Sequence, residues 1–197
     1  PRERVDDRQA LMDYAGKVYR QRLEKTGSAL ADDWSVLVGG QLVYLESYFR
    51  DRISLRGFDG LVWSSVSPSG GMSSSSALVI SIALGVLAMT GFPPELSYTR
   101  ERFAGFAGAL ESGADFEHLK GDSGVGTKGG SQDHTAILCA KQNDLGLYSY
   151  FPVISESSIA LPKDLAFVVA SSGVKASKTG NAKKKYNLAS ERATHIV

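Results

Sequence analysis

Two segments of this sequence have residue types and spacing suited to phosphate and proton chemistry. The first is Ser67-Pro68-Ser69-Gly70-Gly71-Met72-Ser73-Ser74-Ser75-Ser76, which runs straight into the apolar stretch Ala77 to Met89. Glycines let backbone N–H groups come close to a ligand. A helix start adds four unpaired N–H donors and the positive end of the helix dipole. Four serines at that start supply hydroxyls that donate to oxyanions or ligate a hard cation, so the segment suits phosphate with Mg²⁺. A Ser-rich loop with an ordinary N-cap is the plainer alternative.

The second segment is Gly126 to Leu138, GTKGGSQDHTAIL. Asp133 falls where a Gly-rich loop meets an apolar run, a place where a carboxylate is held firmly beside open space. One fixed carboxylate near a phosphate site can accept the proton of an attacking hydroxyl or hold it in line. A simple turn residue explains Asp at such a junction equally well.

The surrounding pattern predicts the elements that carry these segments. Helices are expected over residues 5–24, 34–52, 77–89 and 97–111, with a last one beginning near Lys185. The run Ala77 to Met89 is apolar almost all round and reads as buried, stopped by Gly91-Phe92-Pro93-Pro94. Strands are expected at Phe58 to Val66, His134 to Ala140, Gly146 to Phe151 and Leu165 to Ala170. Residues 112–133 read as a polar, Gly-rich connection. Helices and strands alternate without a regular βαβ rhythm, so the expected class is α+β.

Composition narrows the function classes. The 197 residues carry 22 Lys and Arg against 21 Asp and Glu, a net charge of +1, which argues against a general nucleic-acid binder. Cys139 is the single cysteine, so there is no internal disulfide and no Cys-rich zinc site, and a cytoplasmic location is expected. The longest apolar run is too short for a membrane span, so no membrane partner is expected. Nothing in the sequence sets an oligomeric state.

Taken together, the two segments resemble motifs of the GHMP small-molecule kinases, in particular their galactokinase-like members. Ser64-Ser65-Val66 followed by Ser67 to Ser76 resembles the strand and phosphate loop P-x-G-x-G-L-S-S-S-A of that family. Gly129-Gly130-Ser131-Gln132-Asp133-His134 resembles its C-G-I-M-D-Q signature, with His134 where Gln is usual. Phe167 to Lys175 followed by Tyr186-Asn187-Leu188 resembles a third stretch, after which a Tyr reaches the sugar. The three stand in the family's order between about residues 34 and 195.

The resemblance implies a ribosomal-protein-S5-like N-terminal domain over residues 1–170 and the start of a second α+β domain over 171–197. It implies an ATP- and Mg²⁺-dependent kinase acting on a sugar hydroxyl, with ATP and the sugar in one cleft. Ser69, Gly70, Gly71, Met72, Ser73, Ser74, Ser75 and Ser76 would bind nucleotide. Asp133 would be catalytic, Gly130, Asp133 and Tyr186 would contact the sugar, and Ser75 with Glu111 would hold the metal. Ser76 and Glu117 are the alternatives to that last pair. The family's N-terminal and C-terminal motifs have no counterpart, so the chain is expected to cover roughly the middle half of such a kinase. A non-catalytic sugar- and ATP-binding sensor of the same family, and a plain α+β domain with a Gly-rich loop, are the rival readings.

Other features carry less. Gly121 to Lys128 is a near miss to the P-loop G-x-x-x-x-G-K-[ST], but Thr127 and Lys128 are in swapped order and neither flank fits. Lys175, Lys178, Lys183, Lys184 and Lys185 read as a solvated basic loop. His118, His134 and His195 lack metal-like spacing. His134 is placed to tune the hydrogen bonding of Asp133. Cys139 is expected to be an inert core residue.

Overall fold

A computed structural model describes residues 35–49, 57–67, 70–91, 99–121, 128–170, 172–173 and 181–194. The expected helix at 5–24 lies outside them. The elements are α1 (Ser35–Phe49), α2 (Ser74–Met89), α3 (Arg100–Ser112), α4 (Gln132–Cys139), β1 (Asp144–Tyr150), β2 (Val153–Ala160) and α5 (Asn181–Thr194). The described residues are therefore α+β, with β1 and β2 forming one antiparallel pair.

Three helices build the core because each has apolar residues on one stripe. In α1 the buried positions are Gln41, Tyr44, Leu45, Tyr48 and Phe49, recurring at three-to-four spacing. In α2 they are Ser76, Val79, Ile80, Ala83 and Val86. In α3, Phe103, Phe106, Ala107 and Leu110 face inward, and Leu119 folds back onto them. Full burial of a side chain such as Phe106 contributes roughly 1.5–3 kcal/mol. The one polar residue of the α1 stripe, Gln41, donates through Nε2 to the Val79 carbonyl and so ties α1 to α2.

The ends of α3 follow capping chemistry. Thr99 accepts from the Arg102 N–H at 3.1 Å, and Gly113 closes the helix at φ +76°. Helix α2 has a different start. Its N-cap, Ser73, sits in the left-handed region at φ 53°, and its side chain makes no capping bond.

Several expected elements differ. The expected strand His134 to Ala140 is the helix α4. Thr135 and Ile137 favour strands locally, but His134, Thr135 and Cys139 are buried with Leu138 half-buried, a helical period that packing on α3 enforces. The runs Phe58 to Val66 and Leu165 to Ala170 form no ladder. Leu61, Trp63, Phe167 and Val168 are exposed there, because no neighbouring strand pairs with them among the described residues. Strand β2 was not expected, since Ser155, Ser157 and Ser158 blur its alternation. Pairing with β1 supplies what propensity does not. Helix α2 is buried on one side only, leaving Leu84 and Met89 exposed. The 112–133 connection is not wholly polar, for Leu119 is buried in the core with Phe116 packed against it, and the two exchange backbone hydrogen bonds at 3.0 and 2.9 Å.

No described helix is long and apolar enough to cross a membrane.

Candidate functional site

The site begins with a close approach. A Cβ on Gly108 would lie 2.9 Å from Cα and Cβ of Ser131, inside van der Waals contact. The absence of a side chain at Gly108 lets the start of α4 press against α3 one turn before Glu111. Its consequence is that His134, on the first turn of α4, meets Glu111, near the end of α3. Nε2 of His134 stands 2.9 Å from Oε2 of Glu111.

The same carboxylate oxygen accepts from Ser76 Oγ at 2.9 Å, across from the first turn of α2. All three residues are buried. Burial pushes the Glu111 pKa up, but His134 and the hydroxyls of Ser75 and Ser76 outweigh it and hold the carboxyl below its ordinary value. Glu111 is thus a buried carboxylate kept ionised by neighbours from two other helices.

These residues wall a cavity of about 90 Å³, together with Gly129, Gly130, Gln132, Asp133 and Tyr186. Asp133 is half-buried in the first turn of α4. Tyr186, on α5, passes over the Gly-rich loop so closely that a Cβ on Gly129 would stand 3.4 Å from its hydroxyl oxygen. Two contacts hold α5 to that loop. The Lys128 N–H donates to Asn187 Oδ1 at 3.0 Å, and the Lys128 ammonium pairs with Glu191.

The sequence-expected residues thus divide. Ser76, Glu111, Gly130, Asp133 and Tyr186 line one cavity. Ser75 is half-buried beside them and contributes to holding Glu111 ionised. Ser73 and Ser74 are half-buried, and Gly70, Gly71 and Met72 lie exposed ahead of α2; none of these lines the cavity. Ser69 lies outside the described residues, as do Lys175 and Lys178. Lys184 and Lys185 are exposed on α5.

Glu117 is elsewhere. The Arg102 guanidinium donates to both of its oxygens, at 2.6 and 2.7 Å, and the Tyr48 hydroxyl donates at 2.6 Å. Of the two glutamates, Glu111 is the one beside the loop serines. Cys139 is buried as expected, though on a helix, and burial pushes its thiol pKa up.

Sequence reasoning missed two features. His134 meets Glu111, a contact between distant segments that no spacing announces. Gly108 is needed for a close approach, and a glycine inside a helical run was the available sign, one it shares with Gly105.

Ser76 Oγ and Glu111 Oε2 form a pair of hard oxygens whose 2.9 Å separation suits adjacent ligands of one Mg²⁺. Octahedral bonds of ~2.1 Å set neighbouring ligands ~3 Å apart. Among the described residues, no three His, Cys, Asp or Glu side chains group to hold a metal. Comparison with family models, curated proteins and solved structures finds no match for this chain.

Proposed function

We propose that this chain is part of an ATP- and Mg²⁺-dependent sugar kinase of the galactokinase-like GHMP type. One observation carries the reading. Ser76, Glu111, Asp133 and Tyr186 come from four separate helices and were each singled out by motif resemblance, and all four border one cavity.

At about 90 Å³ the cavity is far below the ~300–1,000 Å³ of ordinary small-molecule pockets. It therefore takes the reacting end of the substrates rather than their whole bodies. The start of α2 presents N–H donors to the ATP phosphates. Ser76 and Glu111 would hold Mg²⁺, which when bound neutralises charge on the phosphoryl oxygens. Asp133 accepts the proton of the sugar hydroxyl as that oxygen bonds to the γ-phosphorus and the bond from that phosphorus to the bridging oxygen breaks. Tyr186, held by the Lys128 contacts of α5, bounds the space for the sugar.

The test is ADP release across a panel of monosaccharides, measured on the whole protein with and without Asp133→Asn. The expected loss of kcat is on the order of a hundredfold or more, with ATP affinity kept. An unchanged kcat overturns the role of Asp133. ATP binding without ADP release on any sugar favours the sensor reading.

A further inference from the structure

His134 carries a chemistry that the kinase reading leaves unused. The residue is 2% exposed, and neither ring nitrogen has a hydrogen-bond partner among the described residues. Yet Nε2 stands 2.9 Å from a carboxylate oxygen. That separation is a close polar contact, yet the ring is not aligned to donate squarely to the oxygen. An imidazole serving only to orient Glu111 would point its N–H along the line between them.

Two adjacent ligands of one octahedral ion stand in this other relation. At bonds of ~2.1 Å they are ~3 Å apart, and binding the ion would turn the Ser76 hydroxyl proton away from Glu111, to which it donates here. Ser76 Oγ lies 2.9 Å from the same Glu111 oxygen, so a hydroxyl, a carboxylate and an imidazole converge from α2, α3 and α4. All three border the cavity, which leaves room for water or phosphate on the remaining positions.

We propose that Ser76, Glu111 and His134 form a three-ligand divalent-cation site that prefers a first-row transition ion, from Mn²⁺ to Zn²⁺, over Mg²⁺. Imidazole nitrogen suits that series, whereas Mg²⁺ takes oxygen ligands and dehydrates reluctantly. With the metal on Nε2, the ring proton sits on Nδ1. The proposal rests on the kinase reading for the use of the ion, and on the three side chains for its binding.

The test is titration of the protein with Mn²⁺ and with Mg²⁺, with and without ATP. Bound Mn²⁺ is followed by electron paramagnetic resonance, including spin-echo modulation from directly bonded nitrogen. Without nucleotide, Mn²⁺ is expected to bind on the order of tenfold more tightly than Mg²⁺. Its spectrum should carry nitrogen modulation. His134→Ala should remove both the modulation and the preference while leaving Mg²⁺ affinity within about twofold. His134→Asn, which restores a polar group of similar size, serves if the alanine variant fails to fold. The unaltered protein gives the decisive spectrum in any case. Bound Mn²⁺ without nitrogen modulation overturns the proposal and leaves the kinase reading standing, as does metal binding that requires ATP. Failure to bind ATP or either metal overturns both.

Discussion

Glu111 and Glu117 stand close in the sequence at the end of α3 and just beyond, and both carboxyls are held below their ordinary pKa. Their surroundings differ in kind. Glu117 is closed: Arg102 forks onto both oxygens, Tyr48 adds a third donor, and His118 stacks on the Tyr48 ring at 5.0 Å. Glu111 is open on one side: its carboxylate accepts from the Ser76 hydroxyl, meets the His134 imidazole at 2.9 Å, and borders a cavity. A bidentate guanidinium satisfies a carboxylate fully and leaves nothing to recruit a ligand. Hydroxyls and an imidazole contact keep a carboxylate ionised while leaving its coordination unfinished. The difference separates a carboxylate that braces a fold from one that can serve a reaction.

Exchanging the two carboxylates for amides tests that distinction most directly. On the proposed kinase reading, Glu111→Gln should lower kcat on the order of a hundredfold and raise the divalent-cation concentration needed for half-maximal rate. Glu117→Gln should leave both within about twofold. Equal losses in the two variants would erase the contrast.

Next in size is Gly108→Ala. A methyl group 2.9 Å from Ser131 must push α4 from α3, at a cost of about 1–3 kcal/mol in thermal or denaturant unfolding. Cation affinity should weaken with it, because His134 and Glu111 sit on the two helices being separated. The Arg102–Glu117 clamp lies off that contact and should keep its own contribution.

Glu117→Gln itself should cost about 1 kcal/mol, since both partners of the pair are more than a third exposed and solvent screens them. The pH dependence is the smallest effect. The Arg102 guanidinium, opposed by partial burial and aided by Tyr48, depresses the folded-state pKa of Glu117. Its contribution is then complete above the unfolded pKa and is lost as pH falls through the lower folded value. Acid unfolding of Glu117→Gln should be correspondingly shallower below the ordinary carboxylate range, as followed by circular dichroism.

How much of this was legible in the sequence depended on range. Helices α1, α2 and α3 were readable because their apolar stripes repeat within a few residues, and the serine run marked the start of α2. Helix α4 eludes a local reading because Thr135 and Ile137 suit a strand until α3 packs on one side of them. Strand β2 escaped because its serines are ordered by a partner rather than by their own pattern. The grouping of Ser76, Glu111, Asp133 and Tyr186 could be anticipated only by resemblance, since local spacing does not bring four helices together. The His134–Glu111 contact was hidden altogether, because it depends on the missing side chain at Gly108.

Cys139 turns this arrangement into a clock. It is the only sulfhydryl in the sequence and closes the short helix that carries Asp133 and His134, and it is 4% exposed with its thiol pKa raised by burial. Alkylating reagents attack the thiolate, so the closed helix offers them almost no target. Labelling must wait for α4 to lift from its neighbours, and its rate counts those openings. A ligand that binds only the closed arrangement slows the count in proportion to its occupancy, so the time course of a single covalent adduct reports on the site without any turnover being measured.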